Sequence, residues 1–327
     1  KGERTTYLDF KDVCVTYEMP GRSVYAVDHV SLSLEKGQSL GLVGESGSGK
    51  STLGMALLRL LPDTAKVTGA MMLDGQDMLT LSPKELHNVR WKKLSAVFQK
   101  SMNALSPVHR IGRQMVDIYL LHAPNVSKAE AKARVIEVLK VVGLGERIFR
   151  AYPHELSGGM MQRTAIALSL LNNPEMILFD EATTALDRIT QGQILMEVKR
   201  LEKEFNLTRI MITHDISVVA SSCTHIAVLY AGRLMETGAT ADVLKQPMHP
   251  YTIGLLNAFP KLHGEKTRMT GISGSLPDLS QPIPGCVFAP RCPYATEECR
   301  KCAPPLTDVG NGRQIACHHP AGKEEKQ

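Results

Sequence analysis

The stretch Gly44-Glu45-Ser46-Gly47-Ser48-Gly49-Lys50-Ser51 follows a short apolar run at residues 39–43 and opens a helical pattern at residues 50–61. Glycines let the backbone curl so that successive N–H groups point inward, where they can hold the phosphates of a nucleotide. The helix adds its positive end, Lys50 a mobile positive charge, and Ser51 a hydroxyl for Mg²⁺. The order strand, glycine-rich turn and helix therefore predicts a P-loop. The predicted nucleotide contacts in this stretch are Gly44, Glu45, Ser46, Gly47, Ser48, Gly49, Lys50, Ser51 and Thr52.

A second motif, Met176-Ile177-Leu178-Phe179-Asp180-Glu181, is an apolar strand pattern that ends in two acids. A buried strand can place Asp180 beside the P-loop, where its carboxylate holds Mg²⁺ directly or through water. Glu181 would then face the γ-phosphate and polarise an attacking water molecule. Many strands end in solvated acids, so the motif gains its meaning from the P-loop upstream. Together the two motifs predict hydrolysis of a nucleoside triphosphate.

The rest of the chain alternates between strand and helix patterns. Strand-like runs occur at residues 7–17, 24–34, 176–179, 209–212 and 226–229. Residues 99–156 are mostly helical in pattern, with residues 128–142 the clearest amphipathic segment. This order predicts an α/β fold with a mixed, largely parallel core sheet and a helical insertion at about residues 100–160. After Gly238, frequent prolines predict a segment too broken for long helices or strands.

Composition limits the class of protein. The 327 residues are 43% hydrophobic and 22% charged, which is ordinary for a soluble globular protein. The apolar runs stop short of the ~18 residues that a membrane span requires, and Lys1-Gly2-Glu3-Arg4 does not begin a secretory leader. We therefore expect a cytosolic chain that reaches a membrane only through partners. The net charge of +5 is spread along the chain, so we expect no nucleic-acid partner.

The stretch Leu156-Ser157-Gly158-Gly159-Met160-Met161-Gln162-Arg163 resembles the signature motif of ABC transporter cassettes. Other motifs of that family follow in the expected order, so that the resemblance covers residues 1–240. Gln99 resembles the Q-loop glutamine, Ala185-Leu186-Asp187 the D-loop, and His214 the switch histidine. Tyr17 stands where the family places an aromatic side chain that stacks on adenine.

The resemblance implies cassettes that work in head-to-tail pairs. ATP on one P-loop would be covered by Ser157, Gly158 and Gly159 of the other cassette, with Asp187 nearby. Ser51, Gln99 and Asp180 would hold Mg²⁺, and Gln99 would couple the helical insertion to a membrane subunit. Glu181 would act on the attacking water, while His214 senses the γ-phosphate and Lys50 neutralises its charge. None of these residues is degenerate, so we expect a hydrolysis-competent site.

Five of the seven cysteines crowd into the C-terminal region. Cys14 and Cys223 stand apart, whereas the others are Cys286, Cys292, Cys299, Cys302 and Cys317. In a reducing compartment such a cluster indicates a metal centre more than disulfides, and soft thiolates suit Zn²⁺ or an iron–sulfur cluster. Cys299-x2-Cys302 is a pair common in zinc sites, so the residues alone leave zinc, a cluster, disulfides and unligated thiols open.

His249-Pro250-Tyr251-Thr252 and residues 284–318 resemble the C-terminal extension of dipeptide/oligopeptide permease ATPases, which here spans residues 241–327. The resemblance favours a structural 4Fe–4S cluster on Cys286, Cys292, Cys299 and Cys317, with Cys302 as a spare and Zn²⁺ as the alternative. It implies the motor of a di- or oligopeptide importer, peripheral at the cytoplasmic face of the inner membrane. Its partners would be a second, different cassette, two transmembrane permease subunits and, indirectly, an extracytoplasmic solute-binding protein.

Other readings stay open. Relatives of this branch carry oligosaccharides, nickel or opines, and a cassette does not touch the cargo. A soluble ABC ATPase that acts on ribosomes or DNA usually holds two cassettes or a long coiled-coil insertion, and neither pattern occurs in this sequence. A redox-sensing regulator would need a partner site or an electron route that the sequence does not show.

Overall fold

The computed structural model describes residues 6–99, 104–184, 186–258 and 271–321. Outside the described residues lie the first residues of the chain, residues 100–103 of the predicted insertion and Ala185 of the D-loop pattern. The described strands are β1 (Thr6–Met19), β2 (Arg22–Glu35), β3 (Ser39–Val43), β4 (Ala65–Leu73), β5 (Gln76–Asp77), β6 (Leu94–Phe98), β7 (Met176–Asp180), β8 (Thr208–Thr213), β9 (His225–Tyr230), β10 (Arg233–Ala239), β11 (Thr307–Gly310) and β12 (Arg313–Ile315).

The described α-helices are α1 (Lys50–Leu57), α2 (Pro83–Val89), α3 (Ile111–His122), α4 (Lys128–Val141), α5 (Gly158–Leu170), α6 (Arg188–Phe205), α7 (Ile216–Ser222), α8 (Thr240–Lys245), α9 (Pro250–Asn257) and α10 (Glu297–Lys301). Short 3₁₀ turns occur at Glu146–Arg150, Pro153–Glu155 and Ala289–Arg291. None of the helices in these described stretches has the length and apolar character needed to cross a membrane.

The chain forms two compact units, one of residues 1–80 with 212–327 and one of residues 81–211. In the first unit, β2, β1, β4 and β5 form an antiparallel sheet in that order, and β11, β12, β10, β9 and β3 lie side by side in a second sheet. Strands β9 and β3 are parallel, whereas β9, β10, β12 and β11 pair antiparallel. This unit therefore contains a mixed sheet.

The second unit contains α2 to α6 and the parallel pair β6 and β7, whose register joins Leu94 to Met176 and Phe98 to Asp180. Strand β8 carries the chain back to the first unit. The amphipathic helix predicted at residues 128–142 is confirmed, since α4 buries Ala131, Val135, Val138 and Leu139 on one face. Its first turn is closed by a capping box of Ser127 and Glu130. The strands and helices confirm the predicted α/β fold.

Two sequence expectations change. The predicted helix over residues 50–61 ends at Leu57, because Arg59 adopts a left-handed backbone conformation with φ of 51° that an α-helix cannot contain. The C-terminal region is built of short elements, as expected, but its strand β12 also extends the sheet by pairing Ile315 with Glu236 of β10. Residues 212–327 group with residues 1–80, while a separate domain beginning at residue 241 stays a prediction.

Candidate functional site

The P-loop follows β3, all five residues of which are buried. Gly44, Gly47 and Gly49 have φ values of 153°, 81° and 93°, in the region that favours glycine. A Cβ on Gly44 would lie 2.1 Å from the carbonyl oxygen of Leu229 in β9. This position therefore needs glycine for its backbone angle and for its close approach to β9.

The ammonium group of Lys50 lies inside the loop. It donates hydrogen bonds to the carbonyl oxygens of Gly44 at 2.9 Å and Glu45 at 2.7 Å, and to the Ser48 hydroxyl at 3.0 Å. Lys50 is 5% exposed, so this charge is held away from bulk water. The loop thus combines a buried cation with the amino end of α1, where Ser51 is exposed and Thr52 half-buried. This is the chemistry of an anion site.

Tyr17 and His214 belong to the same unit as the P-loop. Tyr17 is half-buried in β1, opposite Val24 of β2 and Ala65 of β4. His214 is exposed directly after β8, and the next residue, Asp215, caps α7 by accepting a hydrogen bond from the Ser217 N–H at 2.9 Å. The adenine and switch roles of these two side chains stay predictions.

In the second unit, the acids at the end of β7 lie beside the predicted Q-loop glutamine. Phe98 pairs with Asp180, so Gln99 and Glu181 leave two neighbouring strands at the same edge. The Gln99 amide donates to the Thr184 hydroxyl at 3.2 Å, and that hydroxyl donates to the Glu181 carbonyl oxygen at 2.8 Å. Glu181 has a φ of 48°, an uncommon conformation for a non-glycine residue that functional sites often contain.

The signature serine begins a helix. Ser157 is the N-cap of α5 and accepts a hydrogen bond from the Met160 N–H at 3.4 Å, while Gly158 and Gly159 form the first helical residues. Glycine is required at 159, since a Cβ there would lie 2.7 Å from the Thr190 methyl group of α6. The signature therefore packs against the helix that follows the D-loop.

Asp187 of the D-loop caps that second helix. Its carboxylate accepts hydrogen bonds from the N–H groups of Ile189 and Thr190 at 3.1 and 3.0 Å, and from the Thr190 hydroxyl at 2.6 Å. The bond from the Thr190 side chain is the main reason that the pKa of Asp187 is lowered. The signature and the D-loop are thus brought together by one threonine, Thr190.

The C-terminal cysteines separate into four that share a pocket and one that does not. Cys286, Cys292, Cys299 and Cys317 line the same pocket with Phe288 and Tyr294, whereas Cys302 is exposed and does not line it. All seven cysteines are free thiols. Burial raises the pKa of Cys286 and of Cys292, and it raises that of Cys317 to about 11. A bound cation would reverse this cost by stabilising the thiolates.

Comparison with known proteins agrees with this set of motifs. The ABC transporter family matches residues 27–184, and the family described as oligopeptide/dipeptide transporter, C-terminal region, matches residues 235–299. The oligopeptide transport ATP-binding protein OppD of Escherichia coli (strain K12) is 45% identical over 315 residues, covering 96% of this chain and 93% of that protein. The chain belongs to the family of ABC transporter ATP-binding proteins.

Further relatives of this ABC cassette support the assignment. OppD of Haemophilus influenzae is 41% identical and covers 95% of the cassette and 96% of its own length. A solved dimeric structure of the ATP-binding cassette MJ0796, in a post-hydrolysis state bound to ADP and Pi, is 32% identical with a TM-score of 0.64. It covers 71% of this cassette and 98% of that chain. These matches confirm the predicted family and fold.

Sequence reasoning missed several residues that shape the site of this ABC cassette. Thr184 and Thr190 act as hydrogen-bond partners of predicted residues, and Thr190, three positions after Asp187, could have been found from its capping pattern. Tyr251 and Arg291 contact Glu45 of the P-loop. Arg291 is 246 residues away along the chain, and no local pattern indicates that contact.

Proposed function

We propose that this cassette is the ATP-hydrolysing motor subunit of an ABC importer for di- or oligopeptides. One observation carries the proposal: an ATP-binding cassette and the C-terminal region of oligopeptide/dipeptide transporters occur in one chain. The relatives named as oligopeptide transport ATP-binding proteins align over both parts. The P-loop geometry supplies the chemistry, because the buried Lys50 ammonium lies where a phosphate chain would bind.

The residues of the ATP site divide the work. Backbone N–H groups of the P-loop and the Lys50 ammonium bind the phosphates, while Ser51, Gln99 and Asp180 would hold Mg²⁺, which neutralises negative charge during phosphoryl transfer. Glu181 orients and deprotonates the attacking water, and His214 responds to the γ-phosphate. The chain of hydrogen bonds from Gln99 through Thr184 to the Glu181 backbone supports joint action of these groups.

A second cassette would complete the site. Ser157 is exposed at the N-terminus of α5. There its hydroxyl and the N–H groups of Gly158 and Gly159 can face the γ-phosphate of an ATP molecule bound to a partner cassette. The related cassette MJ0796 is described as a dimer. We propose head-to-tail pairing with a second, different cassette, in which bound ATP is shared between the two surfaces.

The second unit offers a place for a permease subunit. An apolar pocket near Gln99 is lined by residues of β6, α5 and the adjoining loop, among them Phe98, Leu105, Met161 and Ala165. Because Gln99 directly follows Phe98, a permease segment seated in this pocket would respond to changes at Gln99. We propose a peripheral position at the cytoplasmic face of the inner membrane, with two permease subunits as direct partners and a solute-binding protein as an indirect one.

The cysteine pocket suits an iron–sulfur cluster. Its four thiols are the four that the family resemblance assigns to a 4Fe–4S cluster, and the exposed Cys302 is outside the pocket. Four soft thiolates suit an iron–sulfur cluster or Zn²⁺, and the family resemblance favours the cluster. The cluster would cross-link a segment that has short elements and little core.

Reconstitution tests the proposed function. The cassette should co-purify with two polytopic membrane proteins and a second cassette, and vesicles holding that assembly should show ATPase activity stimulated by the solute-binding protein loaded with peptide. Stimulation by an oligosaccharide, nickel or an opine instead would move the cargo to the alternative class. An ATPase that co-purifies with ribosomes or DNA and with no permease would overturn the transport assignment.

A further inference from the structure

Glu45, the second residue of the P-loop, is bound by the C-terminal part of the same unit. The guanidinium group of Arg291 makes two hydrogen bonds to its carboxylate, at 2.8 Å to Oε2 and 3.1 Å to Oε1. The Glu45 N–H donates to the Tyr251 hydroxyl at 3.0 Å. Side chain and peptide group of one P-loop residue are therefore both held by residues more than 200 positions downstream.

Arg291 is itself fixed from several sides. It is 6% exposed, and its guanidinium also donates to the carbonyl oxygens of Ser273 at 2.8 Å and Ile272 at 3.0 Å, and to the Tyr230 hydroxyl at 3.2 Å. Burial acts against the charge, but the hydrogen bonds to Glu45 and Tyr230 outweigh it and raise the pKa of Arg291. A guanidinium group that makes two hydrogen bonds to one carboxylate fixes the orientation of that carboxylate as well as pairing its charge.

Tyr251, the second residue that contacts Glu45, is also fixed by its surroundings. It is fully buried, and its ring lies 4.6 Å from that of Tyr230 and 5.3 Å from that of Phe288. The Tyr251 N–H donates to Nδ1 of His249 at the start of α9. The Tyr251 hydroxyl, which accepts the hydrogen bond from the Glu45 N–H, is therefore held in place by the packing of its ring against Tyr230 and Phe288.

These contacts lead to the phosphate site through one peptide unit. The N–H of Glu45 donates to Tyr251, and its carbonyl oxygen accepts a hydrogen bond from the Lys50 ammonium at 2.7 Å. We propose that Arg291 and Tyr251 are positioning residues for the nucleotide site, which fix Glu45 and through its carbonyl oxygen the Lys50 ammonium. This inference rests on nucleotide binding by the P-loop, which is part of the proposed function.

Arg291 lies next to the cysteine pocket along the chain. Arg291 directly precedes Cys292, one of the four pocket cysteines, and belongs to the 3₁₀ turn Ala289–Arg291. Leu276 of the same C-terminal region also lies against the P-loop: a Cβ built on Gly47 would be 3.2 Å from the Leu276 Cδ1 atom. The folding of the cysteine region and the conformation of the P-loop are therefore connected by direct contacts.

The plainer alternative is that the ion pair only ties the C-terminal region to the first unit. The cassette supplies a matched control in its second unit, where Arg209 of β8 and Glu202 of α6 form another ion pair shielded from solvent. A purely structural role predicts equal effects of the two pairs on folding and none on nucleotide affinity. A positioning role predicts that the Arg291 pair alone changes affinity.

The experiment measures nucleotide affinity and thermal stability of the full chain separately. Glu45→Gln, Arg291→Lys and their double variant, together with the controls Glu202→Gln and Arg209→Lys, are titrated calorimetrically with Mg²⁺–ADP and with a non-hydrolysable ATP analogue. We expect Glu45→Gln and Arg291→Lys each to weaken binding about fivefold or more, and the double variant to be no weaker than the worse single one. The control variants should bind within about twofold of the wild type.

Three outcomes decide the proposal. The proposal is overturned if Glu45→Gln and Arg291→Lys bind nucleotide like the wild type, or if they lose no more affinity than the controls. If Arg291→Lys does not fold, Tyr251→Phe removes one hydroxyl from an intact ring and should still weaken binding by about two- to threefold, with a raised KM for ATP and a retained kcat. A wild-type chain that binds no nucleotide would instead refute the proposed function.

Discussion

The backbone N–H of Cys286 donates to the carbonyl oxygen of Cys299 at 2.7 Å. The preceding residue, Gly285, makes this contact possible, because a Cβ there would lie 2.5 Å from the carbonyl oxygens of Cys299 and Arg300. Two of the four pocket cysteines are therefore placed together by main-chain geometry. A cluster bound here would occupy a site whose ligands the fold itself brings close.

The proposed cluster leads to a prediction of which cysteines would bind iron. Cys286→Ser, prepared without exposure to oxygen, should lose the brown colour and most of the iron and acid-labile sulfide, because a serine hydroxyl is a poor ligand for a soft centre. Cys302→Ser is the matched control and should retain both, since Cys302 is exposed outside the pocket. Iron and sulfide analysis of both variants beside the wild type provides the measurement.

Two results would contradict that assignment. Equal iron loss in Cys286→Ser and Cys302→Ser would place Cys302 among the ligands. A colourless, well-folded wild-type chain that carries stoichiometric zinc when isolated without oxygen would replace the cluster by zinc.

Glu181→Gln should separate binding from turnover. The amide keeps the shape of the side chain but cannot accept a proton, so we expect ATP affinity within a few-fold of wild type and a kcat lower by about 100-fold or more. Glu204→Gln, in an exposed ion pair with Arg200, is the control and should hydrolyse ATP normally. Wild-type hydrolysis by Glu181→Gln would remove Glu181 from the mechanism.

The contact between Gly159 and Thr190 predicts a rescue. Gly159→Ala should reduce ATP-dependent pairing and ATPase activity, because its Cβ would collide with the Thr190 methyl group. That threonine cannot rotate away without losing its hydroxyl bond to Asp187. Thr190→Ser deletes the methyl and keeps the hydroxyl, so the double variant should regain much of the activity. A double variant as impaired as Gly159→Ala alone would show that the collision is not the cause.

The hydrogen bond between Gln99 and Thr184 predicts a graded loss of catalysis. Gln99→Ala should lower kcat by about tenfold, because it removes the proposed Mg²⁺ ligand and the donor to Thr184. Thr184→Val keeps the shape, removes only the hydroxyl between Gln99 and the Glu181 carbonyl, and should lower kcat less. Steady-state ATPase assays at varied Mg²⁺ check both. A larger effect of Thr184→Val than of Gln99→Ala would contradict the proposed order.

Sequence patterns predicted the local elements better than their ends. The Ser127 and Glu130 capping box made the start of α4 predictable, whereas the end of α1 at Leu57 depends on the left-handed Arg59, which the apolar periodicity does not reveal. Asp180 and Glu181 could be placed at the end of a strand from sequence. The positive φ of Glu181 could not be predicted, and neither could its link to Gln99, which depends on the pairing of β6 with β7.

The sequence by itself determined the P-loop, the acids at the end of β7 and the signature, because each motif is contiguous and its chemistry acts over a few residues. Lys50 donates to the carbonyl oxygens of Gly44 and Glu45, which precede it by only six and five residues. Only the tertiary structure decided that Arg291 and Tyr251 would hold Glu45 and that Cys302 would stand outside the cysteine pocket. Contacts between residues far apart in the chain depend on the packing of every element between them, and no local pattern encodes that packing.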